Sequence, residues 1–198
     1  MSVLMVLEVP GASLEQYERI NEIMGIHGDE DAPEGLIQHV AGSDGDSLFA
    51  IDVWESEEAL GQFFEERLGA ALAEGGVDPA AKPRVLPVHN MLKGAGTEAN
   101  VVLIMEMEGM PPEAYDDLIS KMPAHVQDGS SHASYSHTAA KAEGGGMLVI
   151  DVWESPEAFG KFAEEQIAAA AGDDLPPIEP RVVPVHNLML GKARQPAA

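Results

Sequence analysis

The stretch Ile51-Asp-Val-Trp-Glu-Ser56 recurs without a change as Ile150-Asp-Val-Trp-Glu-Ser155. Outward from these two copies the chain aligns on itself at an offset of 97 to 99 residues. Val3-Leu-Met-Val-Leu-Glu8 falls on Val101-Val-Leu-Ile-Met-Glu106, Tyr17 on Tyr115, and His39 on His137. Near the ends, Arg84-Val-Leu-Pro-Val-His-Asn90 falls on Arg181-Val-Val-Pro-Val-His-Asn187. The offset drifts only in loops, where insertions are tolerated. A match of this length marks an internal repeat. Residues 1–93 and 100–192 are therefore expected to be two copies of one unit, with 94–99 as linker and 193–198 as tail.

Each copy reads as the same series of elements. Residues 3–9 are a β-branched and Leu/Met run that stops at Pro10-Gly11, which predicts a strand. Ser13-Leu-Glu-Gln16 has capping-box spacing, and Leu14, Tyr17, Ile20 and Met24 then recur at helical spacing up to Gly25. Residues 35–41 and 48–55 flank Gly42-Ser-Asp-Gly-Asp46 and predict a hairpin. Ser56, with Glu57 and Glu58 behind it, starts a second helix, as Ser155-Pro156 does in the other copy. Leu60, Phe63, Phe64, Leu68, Ala71 and Leu72 form its expected apolar stripe, and a last strand covers roughly 84–92.

The order β-α-β-β-α-β, twice over, predicts two ferredoxin-like α+β repeats. One such unit covers a single face of its sheet with helices. The first strands are apolar on both faces, so the bare face must also be buried. Packing the two repeats sheet on sheet, as a pseudo-dimeric α+β barrel within one chain, satisfies both. In the third strand Phe49, Ile51 and Val53 alternate with Ala50, Asp52 and Trp54. The solidly apolar set is expected to meet the helices, which leaves Asp52 and Trp54, with Asp151 and Trp153, facing the barrel interior.

Composition bounds the partners. The chain has 198 residues, 45% of them hydrophobic, with 11 Lys plus Arg against 34 Asp plus Glu, a formal net charge of −23. Such a surface repels phosphate backbones and acidic leaflets, so neither nucleic acid nor membrane is an expected partner. With no cysteine there are no disulfides or thiolate sites. The N-terminus lacks the basic region and cleavage site of a signal peptide, and its apolar run is too short to span a bilayer. A soluble, acidic, cytoplasmic monomer, able to self-associate further, is the expectation.

The third strand that runs into Asp-Val-Trp-Glu-Ser-x-Glu-Ala-Leu or -Phe with its helix, and the final Pro-Val-His-Asn strand, resemble the antibiotic biosynthesis monooxygenase-like (ABM) domain of the dimeric α+β barrel superfamily. The resemblance covers nearly the whole chain and implies a fused dimer. It implies one of several activities: cofactor-free oxygenation of aromatic polyketides, heme degradation, or none. The heme-degrading branch carries an Asn on the first strand, a Trp ending the third, and a His about three turns into the second helix. Trp54 and Trp153 match the Trp. Leu4 and Val102 stand nearest the Asn position, and Phe64 and Ala163 the His position, which argues against heme.

Several polar residues remain for chemistry. Asp52 and Asp151, buried mid-strand, suit a general base or a group that orients a histidine; the structural alternative is a hydrogen-bonded polar position. His39 and His137 lie on the paired strand, opposite the aspartates, one diagonal step away, or flipped, depending on register. No motif places a nucleophilic Ser near them, so a hydrolase triad is not supported. Trp54 and Trp153 suit stacking on a flat ligand, or simply core. Tyr135, with His132, Ser134 and Ser136, makes the second copy more polar there, which favours the second half for a site. His89-Asn90 and His186-Asn187 follow a strand proline, which suggests an edge or a bulge; they could reach the cavity mouth or cap the neighbouring helix ends, and capping is the favoured role. No His/Asp/Glu cluster has recognised metal spacing, no phosphate-cradling glycine loop is present, and no cofactor is expected.

These residues point to a barrel that binds a small apolar or aromatic molecule. As an enzyme it would be a cofactor-independent monooxygenase, or a related proton-transfer enzyme, on an aromatic or polyketide-like substrate. Asp151 and His137 would then handle protons, helped by Asp52 and His39, with Trp153, Tyr135 and Trp54 binding substrate. The alternative is a non-catalytic ligand-binding or structural barrel.

Overall fold

The computed structural model describes residues 1–77, 81–130, 133–172 and 179–193. Two compact units divide the chain: Met1–Pro87 with the chain from Pro184, and Val88–Val183. The first unit opens with β1 (Val3–Pro10), α1 (Leu14–Met24), β2 (Leu36–Ser43) and β3 (Ser47–Trp54). A helical stretch follows: α2 (Glu57–Phe63), a π-helical turn (Phe64–Leu68) and α3 (Gly69–Gly75). Then β4 (Arg84–Lys93) pairs its first residues with β1 and continues into the second unit. The second unit holds β5 (Val101–Met107), α4 (Pro112–Lys121), α5 (Ala124–Gln127), β6 (Ser136–Lys141) and β7 (Met147–Trp153). It continues through α6 (Pro156–Phe162), a second π-helical turn (Ala163–Ile167) and α7 (Ala168–Ala171) to β8 (Arg181–Leu190). The later residues of β8 pair with β2 of the first unit. Strand hydrogen bonding runs β1-β3-β2-β8-β5-β7-β6-β4 and closes, so the expected α+β barrel is what the chain forms.

Local sequence sets the element ends. Ser13 caps α1 through the Gln16 N–H, and the Gln16 side chain accepts from the Ser13 N–H, completing the capping box. Gly25 ends that helix at φ 65°, a left-handed conformation that favours glycine. Ser56 and Ser155 cap α2 and α6 through the N–H groups of Ala59 and Ala158. The π-helical turns alter the expected apolar stripe. An i→i+5 turn inserts one extra residue, so Leu60, Phe63 and Ala71 are buried while Phe64 is left 43% exposed.

The faces of β3 are the reverse of the expectation. Leu48, Ala50 and Trp54 pack with Tyr17, Ile20, Leu60 and Phe63 of the helices, and Asp52 lies on the same side. Their β1 partners Val3, Met5, Leu7 and Val9 share that face. Phe49, Ile51 and Val53, with Leu4 and Val6, occupy the opposite face and are also buried. The expectation assumed that the helix-covered face must be the more uniformly apolar one. Both faces are in fact dry, and the polar residues collect where helix and sheet part around a cavity. In the second unit Trp153, Val149 and Met147 likewise pack with Tyr115, Leu118 and Phe162.

Backbone closeness limits substitution where β8 ends. The Gly191 N–H donates to the Ile37 carbonyl at 3.0 Å, and a Cβ at Gly191 would stand 1.8 Å from the Leu36 oxygen. Gly191→Ala should therefore destabilise the first unit by roughly 2 kcal/mol or more in urea unfolding. Gly61→Ala, inside α2 where an added Cβ meets nothing within 4 Å, should instead be neutral or stabilise by up to about 1 kcal/mol.

Candidate functional site

The strand register decides the first contact. His39 on β2 stands directly opposite Asp52 on β3, and His137 on β6 directly opposite Asp151 on β7. Of the three arrangements left open by the sequence, the chain takes the same one in both units. His39 Nδ1 lies 2.5 Å from Asp52 Oδ1, and His137 Nδ1 2.6 Å from Asp151 Oδ1. The second carboxylate oxygen accepts the indole N–H of the next same-face residue: Trp54 at 3.3 Å from Asp52, Trp153 at 3.4 Å from Asp151. Charged groups this deep cost several kcal/mol unless paired and hydrogen-bonded. Here both oxygens of each carboxylate are used.

The other imidazole nitrogen reaches the first helix of its unit. His39 Nε2 lies 2.8 Å from the Tyr17 hydroxyl, and His137 Nε2 2.7 Å from the Tyr115 hydroxyl. Each tyrosine ring is stacked on its imidazole, with interplanar angles of 3° and 7°. Asn187 Nδ2 donates to the Tyr17 oxygen at 2.7 Å, and Asn90 Nδ2 to the Tyr115 oxygen at 3.0 Å. The neighbouring His186 and His89 bond Glu18 and Asp116 at 2.5 and 2.7 Å.

The His-Asn pairs do not cap helix ends. β8 shifts register between its partners Ala41 and Gly42, and β4 between Val88 and Asn90, so His186 and His89 are the extra residues of two bulges. A bulge re-aims side chains, which lets two successive residues reach the same helix. The prolines at 87 and 184 lie just before these bulges.

Tyr17 and Tyr115 are candidate-site residues that the sequence reading did not select, and Asn90 and Asn187 are ones for which it favoured helix capping over the cavity mouth. Their signal was present, since all four match across the repeat, but the tyrosines were read as helix core. Tyr135 is half-buried just before β6, its backbone N–H bonded to the Val152 carbonyl at 2.8 Å, and the tyrosine that meets His137 is Tyr115. Ser134 and Ser136 are buried; His132 lies outside the described residues. The expected preference for the second half does not survive as a difference in networks, because both units hold the same Asp-His-Tyr-Asn chain. Trp54 and Trp153 are fully buried against Phe63 and Phe162, so they wall the site rather than stand open in it.

In the first unit the network borders a cavity of about 70 Å³ between sheet and helices. Tyr17, His39, Asp52 and Trp54 line it together with apolar side chains such as Met5, Leu7, Ile20 and Phe63. With a neutral imidazole, His39 Nδ1–H donates to Asp52 while Nε2 accepts the Tyr17 O–H. The Tyr17 oxygen then accepts from Asn187. Burial raises the Tyr17 pKa above its usual value; hydrogen bonds from Asn187 and Asn21 oppose that, and the charges of Asp52 and Glu18 add to it. In the second unit burial alone would lower the His137 pKa, but Tyr115 and Asp151, through charge and hydrogen bonds, push it up to about 10. Among the described residues no group of three or more His, Asp or Glu is placed to hold a metal ion, and no helix is long and apolar enough to cross a membrane.

No protein-family model matches the sequence, and no curated protein matches it. Solved structures do. A presumed monooxygenase from Fusobacterium nucleatum superposes with a TM-score of 0.68 at 8% identity, covering 96% of this chain and 94% of that one. A presumed monooxygenase from Lactobacillus acidophilus gives 0.67 at 13% identity, with 96% of each chain covered. An anthrone oxidase-like protein gives 0.53 at 14% identity, covering 100% of this chain and 96% of that one. The chain thus shares its α+β barrel fold with these structures over essentially its full length.

The His137 shift sets a pH test. The folded pKa of about 10 lies above the ordinary value of 6.5, so this contribution is complete below about pH 6.5. It fades as pH rises toward and through 10. The stability gap between the wild type and His137→Gln should be largest near pH 6 and close progressively up to pH 10.5 in urea titrations; a pH-independent gap would contradict the assignment.

Proposed function

We propose that the protein is a cofactor-independent oxygenase, or a proton-transfer enzyme of the same type, acting on a small aromatic molecule with an acidic C–H or O–H. The single observation that carries this reading is the Asp52-His39-Tyr17 chain ending at an apolar cavity walled by Trp54. Tyr17 takes the substrate proton at its oxygen as it passes its own to His39 Nε2. Asp52 stabilises the imidazolium that results, and Asn187 remains bonded to the Tyr17 oxygen throughout. A raised Tyr17 pKa fits this concerted transfer better than a free tyrosinate.

For an activated methylene the balance is simple. The carbanion formed by proton loss donates electrons to dioxygen, a C–O bond forms, and protonation gives a hydroperoxide. Loss of water, with breakage of the O–O bond and the second C–H, leaves the ketone. One oxygen atom enters the product and the other leaves as water. The apolar walls keep the carbanion from reprotonation by solvent. Likeness to an anthrone oxidase-like protein supports an anthrone-type ring system as the first probe.

The first unit is the favoured site, because its Asp-His-Tyr chain borders the apolar cavity, whereas the raised His137 pKa favours the charged imidazole in the second. With anthrone and dissolved oxygen, the wild type should show oxygen uptake and quinone formation well above the protein-free rate. Tyr17→Phe and His39→Ala should each lower kcat by about 100-fold or more, and Tyr115→Phe by less. Absence of uptake with anthrone and with simpler activated phenols would overturn the oxygenase reading. Equal losses from Tyr17→Phe and Tyr115→Phe would overturn the choice of unit.

A further inference from the structure

One polar side chain in the wall of the apolar cavity has no part in the proton path described above. Tyr17, His39, Asp52 and Trp54 line that wall and bond one another; Asn21 is the other lining residue with a polar side chain. Asn21 is 9% exposed and stands one helical turn after Tyr17 on α1, at the i, i+4 spacing that brings two side chains together. Its amide hydrogen-bonds the Tyr17 hydroxyl. That bond uses a single amide hydrogen, and burying the rest of an amide against hydrocarbon costs free energy unless it meets a further partner.

Packing does not require an amide at this turn. Tyr17, His39 and Asp52 fall on Tyr115, His137 and Asp151 in the repeat, but Asn21 falls on Ile119. With the half-buried Ile119 one turn after it, Tyr115 still bonds His137 and Asn90, at 2.7 and 3.0 Å. The network therefore assembles without Asn21, and the amide in the first unit has another use.

Hydrogen-bonding capacity shows what that use is. A phenol hydroxyl donates one hydrogen bond and accepts two. Tyr17 donates to His39 Nε2 and accepts from Asn187 and Asn21, which fills its oxygen. An O–H that reaches this oxygen from the cavity must take the place of one amide. Asn187 lies on the bulged part of β8, beside the His186–Glu18 bond that ties the bulge to α1, whereas Asn21 lines the cavity itself. Asn21 is thus the amide that gives way, and the incoming oxygen is then the acceptor that its N–H meets.

We propose that Asn21 is a substrate-binding residue, and that the cavity takes phenols, including the enol forms of aromatic ketones, by one hydroxyl that donates to the Tyr17 oxygen and accepts from the Asn21 amide. This rests on the functional reading above for the proton path, and it narrows the substrate from an acidic C–H or O–H to an O–H. The ligand O–H bond breaks as a new Tyr17 O–H forms, and the proton Tyr17 held passes to His39 Nε2. The phenolate left behind keeps its charge beside the Asn21 N–H. An aryl ether can accept but not donate, so it leaves the Tyr17 oxygen filled; a hydrocarbon does neither. Met5, Met24 and Met189 in the wall are unbranched and adjust to the ring.

The test titrates phenol, anisole and toluene into the full, isotope-labelled chain and follows the Trp54 indole and Asn21 amide signals by NMR. Phenol should bind about tenfold more tightly than anisole, and it should shift the Asn21 amide signals that toluene leaves in place. In Asn21→Leu, which keeps the size and removes the amide, the preference for phenol should fall to about twofold or less while toluene still binds. If that variant loses toluene as well, Asn21→Ser and the wild-type order of ligands decide. Equal binding of phenol and anisole by the wild type, an undiminished preference in the variants, or no binding of any of the three overturns the proposal. Phenol preference without oxygen uptake from anthrone would sink the oxygenase reading and leave this one standing; uptake with phenol and anisole bound alike would do the reverse.

Discussion

The rest of the structure depends on burying one carboxylate per unit beside one imidazole. Asp52 and Asp151 are 5% and 3% exposed, and at that depth an unpaired charge would cost several kcal/mol. The pairing is therefore also a constraint on register. A slip of one residue between β2 and β3 would send His39 to the opposite face and strand Asp52 among Met5, Ala50 and Trp54. The irregularity between Leu36 and Gln38 lets Leu36 pair with Trp54 while His39 stays opposite Asp52. Hairpin, bulge and the His39–Asp52 hydrogen bond thus specify one another, and the indole N–H of Trp54 holds the remaining oxygen.

The second constraint comes from the two long last strands. β4 starts against β1 and ends against β6, and the later half of β8 ends against β2. The Asn that bonds each network tyrosine therefore comes from the other half of the sequence: Asn90 serves Tyr115, and Asn187 serves Tyr17. Each spatial Asp-His-Tyr-Asn set therefore draws on both halves of the sequence. A duplicated chain keeps both sets complete in one molecule, which ties integrity of each site to folding of both halves.

How far the sequence was legible follows from which interactions are local. The helix caps at Ser13, Ser56 and Ser155, the hairpin and the element order are short-range and were read correctly. Periodicity also showed that β1 is buried on both faces. It did not show which face of β3 meets the helices, because alternation fixes two sets of residues and not their direction. Phe49, Ile51 and Val53 were assigned to the helices on apolarity alone, and the site's polarity reversed that choice. The Tyr17–His39 contact was hidden for a related reason: at helical spacing a tyrosine looks like core, and it is core except for one oxygen. Asn187 lies 170 residues from Tyr17, beyond the reach of any local rule. The two histidines in bulges were visible only as a proline-adjacent irregularity.

The repeat makes the two networks alike in membership, and their differences are then informative. Around Tyr17 the Asn donor is closer, 2.7 against 3.0 Å, and the tyrosine lines the apolar cavity. Around Tyr115 the imidazole is the more buried of the two, with a side-chain exposure of 9% against 13% for His39, and its charged form is favoured. An imidazole that is already protonated can bridge Tyr115 and Asp151, and so fix helix to sheet, but it cannot receive a proton. Identical residues thus sit in two different electrostatic settings. What separates the two settings is the burial of the histidine, which the repeated hexapeptide does not specify.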